Sequence, residues 1–153
     1  MRNTIIIFSI VLASCNIKTE TGELTQVHKP IAGTWQLITG TTIENGDTVV
    51  SFYTKNLSFI KIINETHFAF LKHDLKKGKD SFASFGSGGG RYVLEDSLYT
   101  EHLEYCSDRE WEANDFKFTI RLKNDTLIQR GIEKIEKAGI NRLNIETYIR
   151  LKN

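Results

Sequence analysis

The chain carries almost no surplus charge: 20 lysines and arginines stand against 19 aspartates and glutamates in 153 residues, a formal net charge of +1. That balance argues against a nucleic-acid binder and supplies no basic patch for an anionic membrane surface. No segment of the body keeps a convincing 3.6-residue apolar period, so a helical domain is not expected. Catalytic signatures are missing too. The glycine run Gly86-Ser87-Gly88-Gly89-Gly90 is not followed by the Gly-Lys-Ser/Thr of a phosphate loop, and it leads into a strand, not a helix. Cys106 follows His102 by four residues, roughly 13 Å in an extended strand, and no nucleophile elbow is present. His67 and His73 share a strand face but lie about 20 Å apart along it, too far to share an ion. The expectation is a protein with no enzymatic constellation, no metal and no cofactor.

What is present begins with a leader. Arg2 precedes a short apolar run, Ile5–Leu12, too short to span a bilayer as a helix, and small residues follow it. Leu12-Ala13-Ser14-Cys15 resembles the bacterial lipobox, and that resemblance implies cleavage before Cys15 and acylation of its thiol and amine, palmitate included. Residues 1–14 are then a lipoprotein signal peptide, and losing Arg2 leaves 19 cations against 19 anions. Cys106 keeps the remaining free thiol, with no intrachain disulfide partner, so the fold must hold by its core. Residues 15–30 read as the lipidated cysteine and a flexible tether ending at the single proline, Pro30, with a reach of about 45 Å at roughly 3.3 Å per residue. An acyl anchor keeps a neutral protein at a membrane without a basic patch. The implied location is the envelope of a Gram-negative bacterium, at the outer membrane.

Residues 31–153 form the folded domain. β-Branched and aromatic runs alternate with turn pairs: Gly33–Thr42, then Asn45-Gly46, then Thr48–Tyr53. Leu57–Ile63 and Thr66–His73 pair around Asn64-Glu65, and Ser81–Phe85 is a candidate short strand. Gly88–Cys106 reads as a hairpin turning at Glu95-Asp96. Phe116–Lys123 and Thr126–Glu133 pair around Asn124-Asp125, and Arg142–Leu151 closes the chain. Eight to ten strands joined mostly by tight turns predict an all-β, antiparallel up-and-down meander, and closure into a barrel removes its edges.

Gly33-Thr34-Trp35 at the start of the first strand, with Arg150 on the last, resembles the lipocalins and their calycin relatives. KIINETHFAF followed by GGGRYVLEDSLYTEHLEY is similar to small lipocalin-like bacterial lipoproteins, many of unknown function. The resemblance runs over roughly Ile31–Lys152. It implies that Arg150 lies over Trp35 as a cation–π closure of one barrel end, worth about 0.5–2 kcal/mol. Tyr148 stands where that family often has tryptophan.

Alternation then assigns faces. With the turn at Glu95-Asp96, Tyr92 faces Tyr99 and Gly90 faces Glu101. Tyr92, Leu94, Tyr99, Glu101, Leu103 and Tyr105 point inward, and His102 and Glu104 outward. Glu101 is therefore a buried carboxylate needing a donor, either a satisfied structural group or a ligand contact. The next hairpin points Phe116, Phe118, Ile120, Leu122, Leu127 and Gln129 inward. In the Leu57–His73 hairpin, Phe59, Lys61, Phe68 and Phe70 share one face, favoured for the interior with Lys61 near a rim. On the alternative, His67 enters the cavity. The loop Cys106–Asp115, carrying Trp111, packs on the rim of the mouth.

These readings predict a monomeric, lipid-anchored, lipocalin-like barrel that binds a small apolar or amphipathic ligand. Tyr92, Tyr99, Phe118 and Phe68 would line the cavity, with Glu101, Gln129 and, on the alternative face, His67 at its polar end. The rival expectation is a barrel filled by its own side chains, acting through surface loops. An open void of several hundred Å3 beside Glu101 separates the two.

Overall fold

Strand alternation on one buried face produces nine antiparallel strands in the computed structural model, which describes residues 30–79, 81 and 83–152. Cys15, the expected leader and all of the expected tether except Pro30 lie outside these residues. The strands are β1 (Gly33–Glu44), β2 (Asp47–Phe52), β3 (Leu57–Ile63), β4 (His67–Asp74), β5 (Phe85–Glu95), β6 (Leu98–Cys106), β7 (Asn114–Lys123), β8 (Thr126–Ile135) and β9 (Ile140–Arg150). Sequence neighbours pair from β3 through β9, and β9 returns to β1, closing an eight-stranded up-and-down barrel. Closure satisfies the ladder hydrogen bonds that an open sheet would leave at its edges. β2 shares one edge of β1 with β3: Thr39–Glu44 pair with β2, and Gly33–Gln36 pair with β3.

The expected turns form at Asn45-Gly46 and Asn124-Asp125, with Asn45 and Asn124 at the positive φ that asparagine tolerates. At the β3–β4 turn the Asn64 carboxamide oxygen accepts from the backbone N–H of Thr66 and of His67. The candidate strand at Ser81–Phe85 does not form: Ser81, Ala83 and Ser84 are outside any strand, and β5 begins at Phe85. Asp74 organises this connection instead, its carboxylate accepting from the backbone N–H of Gly78 and Ser84. Those bonds hold its carboxyl below the usual aspartate range.

The β5–β6 hairpin departs from the expected register. Its turn is Asp96-Ser97, one residue later, so Tyr92 and not Gly90 lies opposite Glu101. One residue of turn displacement changes the pairing by two, which preserves every face, and Tyr92, Tyr99, Glu101 and Leu103 are buried. A bulge between Gly89 and Gly90 then reverses the alternation. Beyond it Tyr105 turns outward, 68% exposed, against the expected inward position. A Cβ on Gly90 would run into the carbonyl oxygen of His102, so this bend requires glycine.

One half of the barrel is packed solid. Trp35, Leu37, Phe68, Tyr99 and Leu127 are almost wholly buried there, each large apolar side chain contributing about 1.5–3 kcal/mol. Trp35 donates its indole N–H to the carbonyl of Ile31 at 2.8 Å. The Arg150 guanidinium lies 4.1 Å from the centroid of the Trp35 ring and donates to the carbonyls of Ala32 and Pro30. This seals the end of the barrel at which the described chain begins.

Candidate functional site

The other half is open. A cavity of about 350 Å3 runs from the barrel middle to the mouth, lined by side chains from both halves of the sheet. Its floor is Lys61 on β3, which is 3% exposed. The expected rim position of this lysine is wrong: the closed sheet sets β3 opposite β6 and β8, and the Lys61 side chain reaches across the interior to both. It donates to the Glu101 carboxylate at 2.7 Å and to the Gln129 side-chain oxygen at 3.0 Å. The rings of Tyr148, Phe68 and Tyr99 lie 5.3, 5.6 and 5.9 Å from the same nitrogen. Acceptors and ring faces around a buried ammonium replace part of the solvation it loses.

Glu101 thus has the donor that its burial demands. Burial pushes its carboxyl above the usual glutamate value, and Lys61 opposes that rise. The Tyr99 hydroxyl faces Glu101 but meets no hydrogen-bond geometry with any described residue. Burial and then the charge of Glu101 hold that phenol far above its ordinary range.

A second polar group stands nearer the mouth, on β8 and β9. Glu133 accepts from Arg142 at 2.8 Å and from the Asn144 carboxamide at 2.7 Å. Burial raises the Glu133 carboxyl, and the charge of Glu146 raises it further. Glu146 accepts the Tyr148 hydroxyl at 2.8 Å. Arg142 also lies 5.3 Å over the ring of Trp111, which sits in the 3-10 turn Arg109–Trp111 and packs on Phe116 at 5.7 Å. Trp111 is accordingly a rim residue that also lines the cavity.

Of the residues singled out in the sequence, Glu101, Phe118 and Gln129 line the cavity together. Tyr92, Tyr99 and Phe68 point inward but pack beneath its floor, in the filled half. Tyr92 donates its hydroxyl to the Asn64 carbonyl at 2.7 Å. His67 lies on the outer face of β4, its Nδ1 2.7 Å from the Thr66 hydroxyl, because the three phenylalanines of that hairpin take the interior. His102 and Glu104 are on the outer face of β6, beside Asp115 and Arg91 respectively. Sequence reading missed Lys61 as the floor, and Glu133, Arg142, Asn144 and Glu146 as lining. Parity carried them: an inward Gln129 implies an inward Glu133, and an inward Arg150 implies inward Glu146, Asn144 and Arg142.

No protein-family profile and no curated protein matches the chain. Among solved structures, it is similar to an uncharacterized protein from Bacteroides eggerthii, with 13% sequence identity and a TM-score of 0.46. That match covers 78% of this chain and 98% of the other.

Proposed function

We propose that this protein is an envelope-anchored, lipocalin-like lipoprotein that holds a small molecule inside its barrel. The observation that carries the reading is the cavity of about 350 Å3 opening beside Glu101 above a fixed polar floor. A void of that size, walled by Phe70, Phe116 and Phe118 and tipped by a few converging polar groups, suits an amphipathic molecule with an apolar body. An open interior favours this reading over a filled barrel working through surface loops. The Trp35–Arg150 contact at the sealed end supports kinship with lipocalins. The lipobox-like Cys15 supports attachment to the outer membrane, where a single barrel would act as a carrier or scavenger.

The test is saturable binding of the neutral fluorescent probe N-phenyl-1-naphthylamine to the full chain, together with native mass spectrometry for a co-purifying molecule. Replacing Leu103, a cavity-wall residue, by tryptophan is expected to abolish probe binding. A wild-type protein that takes up neither probe nor cellular molecule overturns the binding reading. Anchoring is checked separately by the mass of the amino-terminal peptide from cells, expected to begin at acylated Cys15. An unmodified Cys15 removes the membrane from the proposal.

A further inference from the structure

The cavity wall does not balance its charges. Three carboxylates, Glu101, Glu133 and Glu146, share it with the cations Lys61 and Arg142, and at the mouth Lys72 and Asp108 add one charge of each sign. Lys61 is committed to Glu101, and Arg142 to Glu133. Glu146 has no lysine or arginine partner among the described residues; its carboxylate accepts the Tyr148 hydroxyl. The surplus negative charge is therefore localised on one side chain.

The surroundings of Glu146 are aromatic. Across β1 it faces Gly40, and the missing side chain there admits the ring of Tyr53, which would stand 3.2 Å from a Cβ at that position. Tyr53 packs edge-on against Phe59 at 5.7 Å, and Phe59 lies 6.5 Å from Tyr148. Burial raises the Tyr53 phenol, and the nearby charge of Glu146 raises it further. A carboxylate without a cation, with aromatic rings nearby in an open cavity, is complementary to an ammonium group. An entering carboxylate would instead meet net negative charge, and the deep lysine, Lys61, is already occupied by Glu101 and Gln129.

We propose that the molecule held in the barrel is a small amphipathic amine, its ammonium seated on Glu146 between Tyr53, Phe59 and Tyr148. Its apolar body lies against Phe70, Phe116 and Phe118. This rests on the reading of the cavity as a binding site and adds the charge of the ligand to it.

Displacement of N-phenyl-1-naphthylamine from the full chain at pH 7 by hexylamine, hexan-1-ol and hexanoate tests both statements apart. Hexylamine is expected to compete at concentrations about tenfold below hexan-1-ol, with hexanoate weakest. In Glu146→Gln, which keeps an acceptor for Tyr148, the preference of amine over alcohol, measured on the same sample, is expected to shrink to about twofold. Alcohol or hexanoate competing as well as hexylamine overturns the amine, while binding itself stands. An amine preference that survives in a folded Glu146→Gln overturns Glu146 as the seat. A wild-type protein that binds neither the probe nor any of the three compounds overturns the binding reading and the amine with it.

Discussion

The ammonium of Lys61 and the carboxylate of Glu101, 40 residues apart in the chain, meet at 2.7 Å on the floor of the barrel cavity. Both side chains are nearly inaccessible, 3% and 9% exposed, so each is the other's principal compensation for lost solvent. Gln129 takes a second hydrogen of the ammonium. The pair divides the barrel into a packed half below and an open half above.

Lys61→Met tests that division. It leaves Glu101 buried without its cation, a change that costs about 3–5 kcal/mol in comparable settings. The carboxyl, already raised by burial, then rises further, so the deficit is smallest in acid and grows as pH climbs above 4.5, the ordinary glutamate value. Adding Glu101→Gln removes the uncompensated charge and is expected to recover most of the loss. Urea unfolding of the single and double variants at pH 5 and pH 8 reads both effects. Equal stability of Lys61→Met and wild type at pH 8 would contradict the pairing.

Glu133 gives a cleaner pH signal. Burial and the neighbouring charge of Glu146 raise its carboxyl above 4.5, and Arg142 and Asn144 offset this only in part. A folded state that binds its proton more tightly than the unfolded chain is favoured below the unfolded value. That contribution is lost as pH rises through the folded value. The stability difference between wild type and Glu133→Gln is therefore expected to move against wild type as pH increases from 4.5. Exposed carboxylates such as Glu136, held low by Lys134, are common to both proteins and cancel in the comparison. A difference that is flat between pH 4.5 and pH 8 would place the Glu133 carboxyl at its ordinary value.

How far the sequence led to this site depends on the distance over which a residue pattern speaks. Period-two alternation orients a strand from its own residues, so the inward faces of β6, β7 and β8 were legible at Glu101, Phe118 and Gln129. It also survived the one-residue error in the β5–β6 turn, because the resulting register change is even. A bulge or bend was legible in the glycine run, but its effect on Tyr105 was not. Lys61 was harder still. Its partners sit on β6 and β8, and only closure of the whole sheet sets β3 facing them. An open sheet with the same alternation would have left that lysine at a surface.

At the sealed end, Arg150 does three things at once: it covers Trp35 and donates to two carbonyls of the segment entering β1. Arg150→Met removes the charge and both bonds and is expected to cost about 1–3 kcal/mol. Arg150→Lys restores a cation over the ring but not a planar fork that spans both carbonyls, so it recovers only part. Probe binding should be unchanged in either variant, because the mouth is at the opposite end. Thermal unfolding and N-phenyl-1-naphthylamine titration on the same samples separate the two readouts. Loss of probe binding in a folded Arg150→Lys protein would argue that the two ends are coupled.

Cys106 lies just past the bulge, where reversed alternation turns its thiol toward the cavity. Burial raises that thiol above its ordinary value, and the carboxylates of Asp108 and Glu112 push the same way. The thiolate is the reactive form, so N-ethylmaleimide should modify Cys106 slowly at neutral pH and faster as pH rises. A molecule in the cavity would shield the sulfur without altering the fold. Saturating N-phenyl-1-naphthylamine is therefore expected to slow modification of Cys106 severalfold, followed by mass spectrometry of the peptide that contains it. Straightening the strand with Gly90→Ala, which forces a Cβ against the His102 carbonyl, should remove that protection by turning or displacing the thiol. A modification rate that ignores the probe in the wild-type protein would put Cys106 outside the occupied space.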